Sequence, residues 1–175
     1  MEALRKNSMN FGVILGVILV LMITLMYAID ISLFTKWWVG IFNVVIITSF
    51  GVIAATKYKK SIGSFITFKE AFTSFFITVV IGFFISTLFT ILLFNYIDVE
   101  AKRVISENII KYTVEMMQKF GTKAADINKM VAEMEKSDSF GTFSQLKGFA
   151  FNVIVYCIIG LISALIIKRE RPQSL

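Results

Sequence analysis

The sequence predicts an all-α integral membrane protein: four transmembrane helices, with an amphipathic helical hairpin between the third and fourth. Three observations lead there. Residues 11–29, 37–56, 71–97 and 148–167 contain no charged side chain, and at about 1.5 Å of rise per residue each run is long enough to cross a hydrocarbon core of about 30 Å. The chain of 175 residues is 57% apolar and only 17% charged, against about 45–50% and about 25% in soluble domains. The long segment between spans, 98–147, repeats apolar residues at helical spacing.

The first run follows Arg5 and Lys6. It is too long for the apolar core of a signal peptide, and Tyr27-Ala28-Ile29-Asp30 offers no small-x-small cleavage site, so it reads as an uncleaved span. Trp37 and Trp38 open the second run and Tyr96 closes the third, placing aromatic residues at one membrane interface. The third run exceeds a straight crossing and must tilt or project beyond the lipid. Helices associate in lipid by close packing, so small residues four apart mark contact faces. Gly12 and Gly16, Gly51 and Ala55, and Gly160 and Ala164 have this spacing, as does the series Ser74, Thr78, Gly82, Ser86, Thr90 in the third span. That series is expected to face the other helices, leaving Phe75, Phe76, Phe83, Phe84 and Phe94 toward lipid. Asn43 and Asn152 are expected to hydrogen-bond between helices, and Cys157 to act as a small apolar residue. Thr67 with Glu70, and Thr142 with Gln145, match the capping-box pattern and predict that the third and fourth helices begin before the lipid.

Orientation follows from the basic residues. Arg5 and Lys6, then Lys57, Lys59, Lys60 and Lys69, then Lys168, Arg169 and Arg171 all fall on one side of the predicted bundle. Basic loops stay cytoplasmic, so both termini are expected in the cytoplasm and the protein in the cytoplasmic (inner) membrane. This asymmetry accounts for most of the net charge of +6. The segment 98–147, by contrast, carries eight basic and eight acidic residues and is neutral.

Within that outer segment Ile105, Ile109, Tyr112, Met116 and Phe120 recur three or four apart, forming one apolar helical face, and Gly121 suits the helix C-terminus. A second amphipathic run places Ile127, Met130, Val131 and Met134 together. The partner of this greasy edge is left open between the other helix of the hairpin, the bilayer surface and another protein. Balanced charge weakens the bilayer option, and methionines at 116, 117, 130 and 134 make an adaptable surface.

The inventory excludes much chemistry. There is no histidine, one cysteine and one proline, Pro172, so His-based catalysis, His/Cys metal sites and intrachain disulfides are out. No nucleophile elbow or phosphate-binding glycine loop occurs. No Asp, Glu, Lys, Arg or His lies within a span and no proline breaks one, which argues against pumps and proton-coupled carriers. The basic residues flank spans rather than forming a stripe with aromatics, so nucleic acid is not an expected partner. No cofactor and no metal are expected.

The layout resembles the DUF4199 family of four-span bacterial inner-membrane proteins. The resemblance lies in Ile66-Thr67-Phe68-Lys69-Glu70-Ala71-Phe72 leading into a long third span, in Glu115-Met116-Met117-Gln118-Lys119-Phe120-Gly121 followed by 127–135, and in the closing run from Gly160 to Lys168. It implies an inner-membrane location and supplies no catalytic residues. Ser61-Ile62-Gly63-Ser64 departs from the more glycine-rich turn typical of the family.

The reading that follows is a non-enzymatic accessory component of the membrane. Its expected partner surface is Ile105, Ile109, Tyr112, Met116, Met130 and Met134, and its helix-packing residues are Gly12, Gly16, Ser74, Thr78, Gly82, Ser86, Gly160 and Ala164. The same small-residue seams also suit a homo-oligomer. The alternative is a small oligomeric permeation unit or transporter whose pathway is lined by Thr78, Ser86, Asn43 and Asn152.

Overall fold

Lipid offers backbone amides no partner, so an apolar chain must close its hydrogen bonds within helices. The computed structural model describes residues 1–169 and is built this way; Glu170, Arg171 and Pro172 lie outside the described residues. The helices are α1 (Glu2–Ile29), α2 (Trp37–Ser61), α3 (Phe68–Leu92), α4 (Val99–Lys119), α5 (Ala124–Lys136) and α6 (Thr142–Ile167). A 3-10 turn, Ile31–Thr35, joins α1 to α2, and one π turn, Leu93–Ile97, extends α3. The stretches Glu2–Ile29, Trp37–Ser61, Phe68–Ile97 and Thr142–Ile167 are long and apolar enough to cross a membrane.

Helix α3 is the axis of the bundle, packed against α1, α2 and α6. It runs parallel to α1, since Ser8 meets Ser74 and Gly16 meets Ile85, and antiparallel to α6, since Gly160 meets Phe75 and Tyr156 meets Phe83. Glycine permits these approaches. A Cβ on Gly12 would lie 2.8 Å from Ile81 Cβ, one on Gly16 would lie 2.8 Å from Ile85 Cβ, and one on Gly82 would lie 2.6 Å from Leu15 Cδ2.

The central place of α3 corrects one expectation. Phe75 and Phe94 are buried, not turned to lipid. Phe75 stands seven residues before Gly82 and so shares the small-residue face, and helices pack on more than one side of α3. Phe75 inserts between α2 and α6, where Gly51 and Gly160 make room for its ring. Phe94 lies edge-on to both Phe34 and Phe140, with ring centroids 5.7 and 5.0 Å away. Phe84 is exposed, as expected, and Phe76 and Phe83 are half-buried.

Two polar expectations also change. Asn43 donates to Val39 O at 3.0 Å and Asn152 to Gly148 O at 2.9 Å, so each bonds to its own helix instead of a neighbour. The capping box at Thr67 and Glu70 forms as expected. At α6 it does not: Gly141 is the N-cap, Thr142 is already helical, and Gln145 Nε2 donates to Ser139 O at 3.1 Å.

The end of the bundle holding the basic residues is stitched together by polar contacts. Asn7 Nδ2 donates to Ala54 O at 2.9 Å, Ser8 Oγ lies 2.9 Å from Ser74 Oγ, and Thr78 Oγ1 is 3.2 Å from Ser8 O. Lys59 Nζ donates to Ile167 O at 2.7 Å, and Ile66 and Arg169 exchange backbone bonds of 3.0 and 2.9 Å. Beneath them Leu4, Ala55, Tyr58, Ile66, Ala71 and Ala164 form one apolar cluster. Because Leu4, Asn7 and Ser8 all belong to this packing, α1 starts at Glu2, well before the charge-free run at Phe11.

The turn after α2 gives the departure at Ser64 a physical meaning. Gly63 and Ser64 have φ of +85° and +69°, and Ser64 N–H bonds to Lys59 O at 2.9 Å. Only glycine takes this conformation freely. Ser64→Gly is expected to stabilise the protein by up to about 1 kcal/mol, the left-handed penalty of roughly 1–2 kcal/mol being partly offset by glycine's chain entropy. Denaturant titration in detergent reads this difference. Gly82→Leu is expected to destabilise by at least about 1–3 kcal/mol through overpacking. Gly40→Leu, where a Cβ meets nothing within 4 Å, should leave the melting midpoint unchanged or slightly raised.

Candidate functional site

The end of the bundle opposite the basic residues carries the least committed surface. There the π turn of α3 delivers the chain to Asp98, which caps α4 by accepting from Ala101 N–H at 2.9 Å. The same carboxylate accepts from Tyr27 Oη on α1 at 2.7 Å. The Tyr27 hydrogen bond first, and the Ala101 amide second, hold the Asp98 carboxyl below its ordinary value. Leu93, Phe94, Ala101 and Ile105 form a buried cluster, closed by Ile23, Tyr27, Ile31, Phe34 and Ile109. The proximal half of α4 is thereby fastened to the bundle.

This divides the expected partner surface. Ile105 is fully buried within the chain and cannot meet a partner, a correction that arises because the turn between α1 and α2 covers its face. Ile109 is half-buried against the same cluster. Farther along the hairpin, Tyr112 is 38% exposed, Met130 41% and Phe120 80%, while Met116 and Met134 are half-buried. Gly121, with φ of +72°, ends α4 and turns the chain toward α5, where Ile127 is buried. The hairpin therefore packs partly on the bundle and partly on itself, and its distal end shows apolar side chains to the outside. Near its base the hairpin pairs Lys102 with Asp138 at 2.6 Å, and Arg103 with Glu100 and Glu107 at 2.5 and 2.6 Å.

Beneath the hairpin a cleft of about 370 Å³ opens between the helices, a volume within the usual range of about 300–1,000 Å³ for small-ligand pockets. Asn43, Ser86, Thr90, Gln145, Asn152 and Tyr156 supply its polar lining, with Phe34 and Phe140 near the hairpin. The buried residues of α6 all lie in its second half, from Tyr156 to Ile167, and the cleft is lined by Gln145, Asn152 and Tyr156 of this helix. Three of the four residues expected along a pathway, Asn43, Ser86 and Asn152, thus come together. Thr78 does not join them. It is fully buried in the seam with Ser8 and Ser74 and donates to Ser74 O at 2.9 Å.

The packing residues fall as follows. Gly12, Gly16, Gly82 and Gly160 sit at tight helix contacts, Ser74, Thr78 and Ala164 are fully buried, and Ser86 is buried with its Oγ donating to Phe83 O at 3.1 Å. Sequence reasoning missed Tyr156 and Gln145 as cleft residues. A signal existed for Tyr156, since Gly148, Asn152, Tyr156, Gly160 and Ala164 repeat every four residues along α6. Among the described residues no group of three or more Cys, Asp or Glu side chains is placed to hold a metal ion.

These features define a polytopic α-helical membrane protein in which a four-helix bundle carries a helical hairpin at one end. The chain belongs to the family described as Protein of unknown function (DUF4199), whose model matches residues 10–169. No curated protein and no solved structure matches it.

The Asp98 contacts imply a pH dependence at the foot of the hairpin. A carboxyl with a depressed folded value adds stability that is present above the ordinary value of about 3.9 and is lost as pH falls through the depressed value. Amide protection at Ala101, corrected for intrinsic exchange, is therefore expected to persist at neutral pH and collapse only in strong acid. Tyr27→Phe removes the larger cause of the depression and should move that collapse to higher pH. An unchanged midpoint would show that the tyrosine does not anchor α4.

Proposed function

We propose that this chain is a non-enzymatic component of the cytoplasmic (inner) membrane that holds a protein partner against the distal end of its outer hairpin. The observation that carries this reading is the division of the hairpin: its base is fastened by Asp98 and Ile105, while Tyr112, Phe120 and Met130 remain exposed. A rigidly mounted element with apolar, partly aromatic and methionine side chains at its free end suits partner docking, where such residues act as anchors.

Orientation in this proposal has the basic end in the cytoplasm. Arg5, Lys6, Lys57, Lys59, Lys60, Lys69, Lys168 and Arg169 gather there, and none of them forms a salt bridge among the described residues. The hairpin end neutralises its charges internally. Basic residues near span ends stay on the cytoplasmic side, which leaves the hairpin outside.

A second reading, a small oligomeric permeation unit, draws support from the polar cleft at Asn43, Ser86 and Asn152. The lining of the cleft does not reach the buried seam of Ser8, Ser74 and Thr78, so this reading needs a pathway formed between copies.

Photoreactive residues at Tyr112 and Met130 in intact cells test the leading proposal. The expected result is capture of a foreign protein, lost in a Tyr112→Asp, Met130→Asp double variant that still inserts in the membrane. Capture of only this chain's own helices would refute it. A second copy as the captured species would favour a homo-oligomer, and solute flux in liposomes holding the protein alone would then test permeation.

A further inference from the structure

The last turns of α2 separate three lysines by role. Lys59 points into the bundle, donating to Ile167 O at 2.7 Å. Lys57 and Lys60 are exposed and, with Thr56, border a shallow groove of about 220 Å³ that continues down the helix over Val52 and Ile53. Ile53, Lys57 and Lys60 lie three or four residues apart and share the outward face, while Ala54, Ala55 and Tyr58 form the buried one. The groove therefore has an apolar floor inside the span and two cations at its mouth, where the charge-free run ends.

Among the described residues, no carboxylate forms an ion pair with those cations. Among the described residues, the acidic groups at this end are Glu2 and Glu70, and Glu70 Oε2 is occupied by Thr67 N–H at 2.9 Å and Thr67 Oγ1 at 2.8 Å. The three salt bridges among the described residues all lie in the hairpin segment. Thr56 makes no hydrogen bond among the described residues, leaving its hydroxyl as a further donor beside the lysines. We propose that this groove is a binding site for one anionic phospholipid, whose phosphate sits between Lys57 and Lys60 while an acyl chain lies over Ile53 and Val52. Charge complementarity selects the headgroup, and the continuity of the groove into the apolar part of α2 selects a lipid over a free anion. Basic residues grouped at the end of a span bind anionic headgroups on the same physical grounds.

Native mass spectrometry of the full chain released from nanodiscs of phosphatidylcholine and phosphatidylglycerol tests the site. The expected result is one retained phosphatidylglycerol, not displaced by inorganic phosphate. Lys57→Gln with Lys60→Gln should weaken retention roughly tenfold or more. Lys59→Gln should lower the melting midpoint but keep the lipid, because that lysine serves α6. Lys6→Gln with Lys69→Gln removes the same charge elsewhere at this end and should also keep it. Equal retention of both lipids, displacement by phosphate, or equal losses in the two double variants would overturn the proposal. An unchanged melting midpoint in Lys57→Gln, Lys60→Gln shows that the fold is intact when its result is read.

Discussion

The contact on which the bundle depends is the approach of α1 to α3 across Gly12, Gly16 and Gly82. In lipid an apolar side chain gains little by leaving its surroundings for another helix, so association rests on close packing and on hydrogen bonds. Ile81, Ile85 and Leu15 fill the space that a Cβ at these glycines would need. Seven residues before Gly82, and so on nearly the same face of α3, the helix carries a large side chain that reaches its other neighbours. That side chain, Phe75, lies between Gly51 and Gly160, and so recruits α2 and α6 to the same axis.

The two ends of the bundle solve the same problem differently. At the basic end, polar groups bond between helices: Asn7 to α2, Ser8 to α3, and Lys59 to the last carbonyls of α6. At the hairpin end, Asn43, Ser86, Thr90 and Asn152 bond back to carbonyls of their own helices. Such bonds satisfy the donor without drawing a neighbour closer. The cleft lies among these self-bonded side chains. The hairpin restores cohesion above it through Tyr27, Asp98 and the aromatic contacts of Phe94.

Much of this was legible in the chain, and the limits have physical causes. Charge-free runs located the spans, four-residue spacing located the glycines at helix contacts, and Thr67 with Glu70 marked the start of α3. These are local signals, read over one or two turns. Phe75 was misread although its seven-residue spacing from Gly82 puts it on the small-residue face; that helices pack on more than one side of α3 is not encoded in any local pattern. Ile105 failed for a related reason: periodicity shows that a face is apolar, but its cover comes from residues 31–35, far away in the sequence. Asn43 and Asn152 show that a carboxamide in a span need not reach across, since the carbonyl four residues back is always within range. Ser64 was visible as a departure from glycine, though only its backbone angle shows what the departure costs.

The π turn at Leu93–Ile97 also has a meaning for how this chain tolerates change in length. It sits between a helix fixed by the bundle and a helix fixed by Asp98 and Ile105, so it sets the phase between them. One residue added or removed turns everything beyond it by about 100°, which would swing Ile105 off its cluster and Asp98 away from Tyr27. Substitutions there must preserve Leu93 and Phe94 as apolar packing and Asn95 as the donor to Phe140 O. A change in length at the turn around Gly121 is milder, because the chain there leaves one helix before beginning another and Phe120 beside it is exposed.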